Sequence, residues 1–411
     1  MPTVSLSFKI HIPYRINNYL QGDTGVTGFF FNNEAAKSTI DRLADECYLP
    51  ANKILLAQIK EQKGKFRLAF SISGSAIELL QKQRPDVISS FRELTNTGCV
   101  EIFAETYYNS LSSLWSKKEF QRQVMSHSAL IKEVFDLEPA VLRNTELIYN
   151  NDLAKFASGL GYKGMLCEGL DKILRGRTPN HCYATPDNGD FGLLLRNVSL
   201  SDDIAFRFDE PGWSEHPLTA TKYASWIHSH TDACNINLFM DYETFGIHKK
   251  AATSIFEFLE NLPTAIMKEN NWQFATPAEA IDNCYPKDIY DSPQTISWKD
   301  KEIECCVWCE NMMQNNMLKK IYSLEEGLYK NGTAEDWSCW GHLQSADHFY
   351  YMSDTGRMAN DAYHALNPFD SAEAAYKNYL NIITGFEIGL IQRGLSKFKD
   401  EHHYLKNTSL Y

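Results

Sequence analysis

Two carboxylic acids stand at places in the sequence where they could act together on one bond. Glu146 follows the predicted strand AVLRN, and Asp241 ends the mainly apolar segment INLFMD, with Glu243 two residues further on and Gly246 loosening the backbone behind it. Glycosidic cleavage needs two such groups, because one attacks or stabilises the anomeric carbon while the other protonates the leaving oxygen. A separation of ~5 Å between the carboxyl groups marks a retaining mechanism. The sequence therefore predicts that Glu146 and Asp241 form a glycosidase-type pair.

Two further polar residues interrupt or end apolar segments. His11 directly follows VSLSFKI and can donate to a sugar hydroxyl, although a core histidine satisfied by backbone groups would give the same pattern. Glu101 lies inside the mainly apolar GCVEIF, and a buried carboxylate without a partner is costly. We interpret Glu101 as part of a functional network and leave both interpretations of His11 open.

The elements that must position these residues alternate along the first 290 residues. Short apolar runs, many of them apolar throughout, alternate with longer amphipathic segments, which is typical of β/α units around a parallel sheet. In a β/α barrel the chemistry sits at the C-terminal ends of the strands, where both acids stand. The strands that we predict are Val4–Ile10, Phe66–Ile72, Cys99–Phe103, Ala140–Arg143, Gly164–Leu166, Gly192–Arg196, Ile204–Phe208 and Ile236–Met240.

A change of pattern suggests a second domain. After the turn-rich stretch 285–297 the strand signals cease, and helical patterns occupy 309–328, 341–351 and 372–393. We therefore predict a catalytic β/α barrel over residues 1–290 and an α-helical C-terminal domain over residues 291–411.

Composition restricts the partners and the compartment. The formal net charge of -12 opposes binding to nucleic acid, which depends on clustered Lys and Arg. The N-terminus lacks the pattern of a secretory signal, and no stretch approaches the ~20 apolar residues of a membrane span, so we expect a cytoplasmic protein without a membrane partner. The ten cysteines, including the CxxC of Cys306 and Cys309, are then expected to be reduced thiols.

Five motifs give the chain a family resemblance. HIPYR, GCVEIFAETYYNSL, NTELIYNNDLA, FMDYETFG and LQSADHFYYM occur in the order of the five sequence regions of glycoside hydrolase family 57. The chain resembles the α-amylase branch of that family along nearly its whole length. Two departures are the HIP of the first region, where HQP is common, and the IHKK that follows DYETFG, where related sequences often show EH.

The resemblance implies roles for individual residues. Glu146 matches the nucleophile and Asp241 the general acid and base, while His11, Glu101 and Asp347 match substrate-binding positions. It also implies a seven-stranded β/α barrel followed by a helical region that completes the substrate cleft, a retaining reaction on α-glucans or maltooligosaccharides, and no cofactor or metal. Because aromatic rings stack on sugars, we add Trp213 and Tyr350 as candidate stacking platforms, for which a structural role is the alternative.

Three alternative functions remain open at this point. A 4-α-glucanotransferase would use the same two acids, since a second glucan then replaces water as the acceptor. A catalytically silent glucan-binding protein would keep the aromatic residues without needing either acid. A metal-dependent deacetylase on a related barrel would need metal ligands, for which only His228 and His230 offer a suitable pattern. The sequence leaves glucan length, branch tolerance and oligomeric state undetermined.

Overall fold

The chain forms two compact units that do not coincide with the predicted domains. The computed structural model describes residues 1–18, 30–269, 271–298, 306–354 and 367–408. The first unit comprises Met1–Ile12, Lys37–Tyr107 and Phe120–Cys305, and the second comprises Pro13–Ala36, Tyr108–Glu119 and Cys306–Tyr411. Two segments from the N-terminal part of the chain thus belong to the second unit.

Seven parallel strands follow one another around a ring in the first unit. The order is β1, β2, β3, β4, β5, β7, β8 and back to β1, with β3 joined to β4 through backbone hydrogen bonds of Ala104. The expected seven-stranded β/α barrel is thereby confirmed. In chain order the strands are β1 (Thr3–Ile10), β2 (Leu68–Ile72), β3 (Val100–Ile102), β4 (Val141–Arg143), β5 (Gly164–Glu168), β6 (Cys182–Thr185), β7 (Asn188–Arg196), β8 (Asn235–Asp241), β9 (Gln273–Phe274) and β10 (Asp288–Ile289).

Strand β1 shows which side chains enter the barrel. Ser7 is in register with Ala69 of β2 and Phe239 of β8, and both of these belong to a core cluster that draws residues from six of the strands. Because side chains alternate along a strand, Lys9 points to the same inner face as Ser7. Phe8 points the other way and packs against Tyr242 in the outer layer.

Helices of the first unit lie around this barrel, and helices also make up most of the second unit. Short 3₁₀ or π turns occupy 44–48, 145–147, 203–207, 242–244 and 251–253. The α-helices are α1 (Asn33–Leu43), α2 (Leu49–Glu61), α3 (Gly74–Gln83), α4 (Pro85–Thr95), α5 (Ser112–Trp115), α6 (Lys117–Phe135), α7 (Asn151–Gly159), α8 (Asp171–Leu174), α9 (Val198–Asp202), α10 (Ala220–Ser229), α11 (Ile255–Met267), α12 (Pro277–Asn283), α13 (Cys306–Cys309), α14 (Met312–Ser323), α15 (Glu325–Asn331), α16 (Ala334–Leu343), α17 (Ala346–Tyr350) and α18 (Ala372–Thr408). Among the described residues, none of these helices combines the length and apolarity needed to cross a membrane.

One predicted strand is wrong. Residues 204–208 fall mostly within the π-helical turn at 203–207, directly after α9, whose first turn is capped by the Asn197 side chain. A short apolar run does not distinguish a strand from a buried helical turn, because its periodicity cannot be read over so few residues. The cap residue just upstream of α9 was the better signal.

The expectation that all cysteines are reduced is also wrong. Cys234, directly before β8, forms a disulfide with Cys284 at the end of α12. The two are 50 residues apart in the sequence, and folding the chain into a ring brings them together. Cys47, Cys99, Cys167, Cys182, Cys309 and Cys339 are free thiols.

Candidate active site

Glu146 stands on a strained turn directly after β4. The turn spans Thr145–Leu147, and Glu146 and Leu147 have φ angles of 54° and 51°, in the left-handed region that residues other than glycine rarely occupy. Hydrogen bonds hold it in place: the Asn144 side chain donates to the carbonyl of Ile148, and the Thr145 hydroxyl bonds that of Thr106. Backbone strain of this kind is concentrated at functional sites, where the surrounding contacts must sustain it.

Both carboxylate oxygens of Glu146 are hydrogen-bonded. The Lys9 ammonium donates to Oε1 over 2.8 Å, and the Trp298 indole N–H donates to Oε2 over 2.6 Å. The Trp298 backbone N–H also donates to the Glu146 carbonyl. Since Glu146 is only 2% exposed, these two donors supply the solvation that water would otherwise give to its charge.

Asp241 faces the same ammonium group. It ends β8 in register with Lys9 on the neighbouring β1, and its Oδ1 lies 3.9 Å from Lys9 Nζ. The facing oxygens of Glu146 and Asp241 are therefore no further apart than the two distances to Nζ added together. The Asp241 side chain is 30% exposed, so it can reach a ligand at the barrel mouth while Glu146 stays enclosed.

Lys9 is charged in this setting. Burial by itself would lower the pKa of Lys9, but the carboxylates of Glu146 and Asp241 outweigh that effect and raise it above its ordinary value. A buried lysine is stable only with such partners. The site thus carries a fixed positive charge between its two acids.

A second buried ion pair lies beside the first, at the ends of β2, β3 and β4. Arg143 approaches Glu105 at 3.5 Å, and the Ser71 hydroxyl donates to the same carboxylate over 2.9 Å. His127 completes the network, with Nε2 near the Ile72 carbonyl and Nδ1 near the Glu105 N–H, and burial lowers its pKa. A neutral imidazole that donates through Nε2 and accepts at Nδ1 satisfies both contacts.

Glu243 adds a third carboxyl group behind Asp241. The Tyr48 hydroxyl donates to it in a short hydrogen bond. Burial first, and then the charge of Asp241, raise the pKa of Glu243 to about 7, although the Tyr48 contact acts in the opposite direction. Near neutral pH this carboxyl is therefore partly protonated.

The structure separates two of the residues predicted from the barrel motifs. His11 lies just past β1, where Nδ1 is 2.7 Å from the Ser73 hydroxyl, near the mouth that holds Lys9. Glu101 instead accepts from the Ala278 N–H at the N-terminus of α12, and burial raises its pKa to about 7. Glu101 is in register with Ala69 and, through it, with Ser7, two residues before Lys9 along β1 and so further from the mouth. Glu105, in the same motif, accepts from Ser71, which is in register with Lys9.

The other three predicted substrate-binding residues, Trp213, Asp347 and Tyr350, pack against or bond to protein groups. Trp213 is half-buried against Trp226, with the Arg207 guanidinium 5.6 Å from its ring. In the second unit, Asp347 is 1% exposed and accepts from the Ser345 hydroxyl. Tyr350 is 2% exposed and packs on Trp308, which is the environment of a structural ring. Their roles in substrate binding stay predictions.

The alternative metal site finds no support in the geometry. His228 contacts the Ile266 carbonyl through Nε2 and the Glu269 carboxylate through Nδ1. Across the described ranges there is no group of three or more His, Cys, Asp or Glu side chains arranged to hold a metal ion.

Sequence reasoning missed three residues of this site: Lys9, Glu105 and Trp298. A signal existed for Lys9, because a lysine within an otherwise uncharged strand that ends beside His11 is as unusual as the carboxylate that was noticed in β3. Trp298 lay outside the predicted barrel domain. It reaches Glu146 because the segment ending at residue 298 pairs with the backbone that follows Glu146, through the Tyr149–Ile296 bridge.

The comparison with known families decides the identification. The model of glycosyl hydrolase family 57 matches residues 5–293. The chain belongs to this family. It is thus a glycoside hydrolase, as the five motifs implied, and the two acids predicted from the sequence lie within the matched part.

The relatives of this family 57 member agree with that assignment. A Methanocaldococcus jannaschii protein named "Putative alpha-amylase" is 37% identical over 396 residues, which are 93% of this chain and 84% of the relative. The crystal structure of 4-alpha-glucanotransferase from Thermococcus litoralis has a TM-score of 0.69 at 14% identity, covering 93% of this chain and 59% of that one, so this chain spans about three-fifths of the transferase. A family 57 branching enzyme from Thermococcus kodakaraensis gives a TM-score of 0.65 at 13% identity over 94% and 89% of the two chains. At these identities the solved structures support the fold.

Proposed function

We propose that this family 57 protein hydrolyses α-1,4-glucosidic bonds in α-glucans with retention of configuration, using Glu146 as nucleophile and Asp241 as general acid and base. The observation that carries the proposal is the shared contact of both carboxyl groups with Lys9, which keeps them at one point of the barrel mouth. The distances of 2.8 and 3.9 Å from the Lys9 ammonium limit how far apart the facing oxygens of Glu146 and Asp241 can be. Such a close pair suits a retaining reaction, where a carboxyl separation of ~5 Å is typical, better than most inverting ones, where ~6.5–9.5 Å is typical.

The local chemistry fits the two roles. Glu146 is enclosed, ionised by its contact with Lys9 and oriented by Trp298, as a carboxylate nucleophile must be. Asp241 is the more exposed of the two, with a side chain that is 30% exposed at the end of β8, so it can reach the leaving oxygen of a bound glucan. Asp241 would then donate its proton to the leaving oxygen and recover one from water in the second step.

The substrate class rests on the relatives. The Methanocaldococcus protein is named as an α-amylase, and the two solved structures are of a 4-α-glucanotransferase and a branching enzyme. Each name describes a protein that acts on α-linked glucose chains, so α-glucans are the proposed substrates here. Hydrolysis and transfer share the covalent intermediate and differ only in the acceptor.

Product analysis after incubation with maltoheptaose tests the proposal. Wild type should give shorter maltooligosaccharides whose new reducing ends appear first as the α-anomer in a freshly started NMR time course. Glu146→Gln and Asp241→Asn should each lose activity by about 10³-fold or more, as expected when a nucleophile or a proton donor is removed.

Three other outcomes would redirect the proposal. Products longer than maltoheptaose would indicate a glucanotransferase with the same two acids. An initial β-anomer would contradict retention. If wild type leaves the substrate intact, or if both variants cleave as fast as wild type, the catalytic assignment is wrong and glucan binding without chemistry becomes the better hypothesis.

A further inference from the structure

Lys9 lies between the two acids rather than beside one of them. Its ammonium is 2.8 Å from Glu146 and 3.9 Å from Asp241, and the residue is 8% exposed. We propose that Lys9 is a positioning residue that serves both acids in turn, pairing with Glu146 in the free enzyme and with Asp241 once Glu146 is glycosylated. This inference rests on the proposed function and adds a residue that the motif resemblance did not assign.

The reaction moves one negative charge from one acid to the other. In the first step a lone pair of Glu146 forms a bond to the anomeric carbon while the bond to the leaving oxygen breaks, and Asp241 gives that oxygen its proton. Glu146 becomes a neutral ester and Asp241 becomes a carboxylate. In the second step Asp241 takes a proton from water, the water oxygen bonds the anomeric carbon, and Glu146 leaves as a carboxylate. A cation placed between the acids is matched to the charge in both states.

The fold gives Lys9 access to both partners. Asp241 is its register neighbour on the adjacent strand, so their side chains leave the sheet on the same face. Glu146 is held from the other side by Trp298 and the strained turn. A lysine ammonium is a compact charge on a flexible stem with three donors, so a small rotation is enough to exchange a strong contact with one acid for a strong contact with the other.

The remaining charged groups that face Lys9 are held by partners of their own. Arg143, from β4, lies against Glu105. Its charge acts to lower the pKa of Lys9, against the opposing effect of the two acids, which raises it overall. Glu243, past β8, accepts from Tyr48 and also feels the charge of Lys9. In the described part of the chain, Lys9 lies within ion-pair distance of both proposed catalytic acids.

Two pH profiles separate the two halves of the inference. The ascending limb of kcat/KM for maltoheptaose reports the free enzyme, where Glu146 must be ionised. The second step, where Asp241 must be ionised, is reported by the rate at which enzyme labelled on Glu146 with 5-fluoro-α-maltosyl fluoride recovers activity. An opposite charge within ~4–6 Å lowers the pKa of a carboxyl group by about 1–3. In Lys9→Met, which removes this charge, both ascending limbs should therefore move to higher pH by about that amount.

Three further variants control for charge, hydrogen bonding and folding. Lys9→Gln keeps a hydrogen-bond donor without the charge and should move both limbs as Lys9→Met does. If one of these two variants is unstable, the other can be used, provided that its melting temperature is close to that of wild type. Lys9→Arg keeps the charge and should restore both limbs. Lys249→Met removes a lysine that is also 8% exposed and pairs with a carboxylate, Asp209 at 2.5 Å, and it should leave both limbs unchanged.

The outcomes distinguish this inference from the proposed function. If only the kcat/KM limb moves, Lys9 serves Glu146 alone and the inference is overturned. If neither limb moves, it is overturned as well. If wild type neither cleaves maltoheptaose nor becomes labelled on Glu146 by the fluoride, the proposed function itself fails.

Discussion

At the residue scale, the two acids differ in how the protein solvates them. Glu146 has a donor on each oxygen and almost no contact with water, whereas Asp241 lies 3.9 Å from the Lys9 ammonium and has a side chain that is 30% exposed. A carboxylate that must stay charged needs fixed donors, and one that must gain and lose a proton needs access to solvent or ligand. This asymmetry supports the proposed division of roles more directly than sequence position does.

The indole of Trp298 offers a prediction at this scale. Trp298→Phe keeps the ring but removes the donor to Glu146 Oε2, a hydrogen bond to a charged group worth about 1.5–3 kcal/mol. We expect kcat on maltoheptaose to fall by about 10- to 100-fold with a small change in KM. Trp226→Phe, which alters a half-buried indole elsewhere on the barrel, is the control and should retain wild-type kcat. Equal losses in both variants would contradict a specific role for the Trp298 N–H.

At the element scale, each end of the barrel depends on one tight local arrangement. At the mouth, the loop after β8 turns back through Gly246, whose φ is +108° and whose N–H donates to the Lys249 carbonyl. At the other end, α12 begins with a capping box at Thr276, and its Ala278 N–H donates to Glu101 of β3. The glycine that was expected to loosen the backbone behind Asp241 instead allows a close approach.

Gly246→Ala should therefore destabilise the loop that follows Asp241. A Cβ atom at this position would lie 1.9 Å from the carbonyl oxygen of Glu46, and its φ is strained for any other residue. We expect the free energy of unfolding to fall by about 1–3 kcal/mol or more, together with a loss of kcat, as measured by urea denaturation and maltoheptaose assays. Gly212→Ala is the matched control, because a Cβ there meets nothing within 4 Å. Similar stabilities of the two variants would refute the steric argument.

Glu101 at the start of α12 yields a prediction about pH. Burial raises its pKa to about 7, above the ~4.3 of an unfolded glutamate, so the folded state binds the proton more tightly. The stability that this group contributes is present below about pH 4 and is lost as pH rises towards 7. Glu101→Gln keeps an acceptor for the Ala278 N–H, so its melting temperature relative to wild type should increase from pH 5 to about pH 7 and level off by about pH 8.

The same variant distinguishes a structural from a substrate-binding Glu101. If Glu101 only accepts the hydrogen bond from the start of α12, kcat/KM for maltoheptaose in Glu101→Gln should stay close to the wild-type value. A large rise in KM would instead support the role implied by the family resemblance. Glu257→Gln, at an exposed position on α11, is the control and should show a melting temperature that tracks wild type at every pH.

At the scale of the whole molecule, the barrel is closed by contacts between distant parts of the chain. Its first strand, β1, pairs with β8, the last strand of the seven-membered ring, and the Cys234–Cys284 disulfide ties the start of β8 to the end of α12. Both contacts join segments that are remote from each other in the sequence. The oxidised pair is a property of the closed ring rather than of either segment.

Reduction of this disulfide should lower stability without abolishing the site. In the loop-entropy model a cross-link spanning about 50 residues contributes about 4 kcal/mol to the free energy of unfolding. We expect dithiothreitol to lower the melting temperature of wild type and to leave that of the Cys234→Ser, Cys284→Ser double variant unchanged. A melting temperature of wild type that is insensitive to reductant would show that the cross-link does not stabilise the fold.

The amino-acid sequence by itself was enough to predict the fold class and to select the two acids that are proposed to act. Alternating short strands and amphipathic helices predicted the barrel, and the strand-end rule with the five motifs selected Glu146 and Asp241. These features are local: a period of hydrophobicity or a carboxylate after an apolar run is visible within about ten residues. The prediction of a strand at residues 204–208 was wrong for the same reason, since local periodicity cannot distinguish a short strand from a buried turn.

Only the tertiary structure decided which groups surround these acids. Lys9 and Glu146 are 137 residues apart, and Trp298 and Glu146 are 152 apart. Their contacts depend on strand register and on closure of the ring, which set the direction of each side chain and are not encoded in any short window. The same physics placed Glu101 at α12 and Glu105 at the mouth, although both lie in one motif, because they occupy different levels of one strand and its extension.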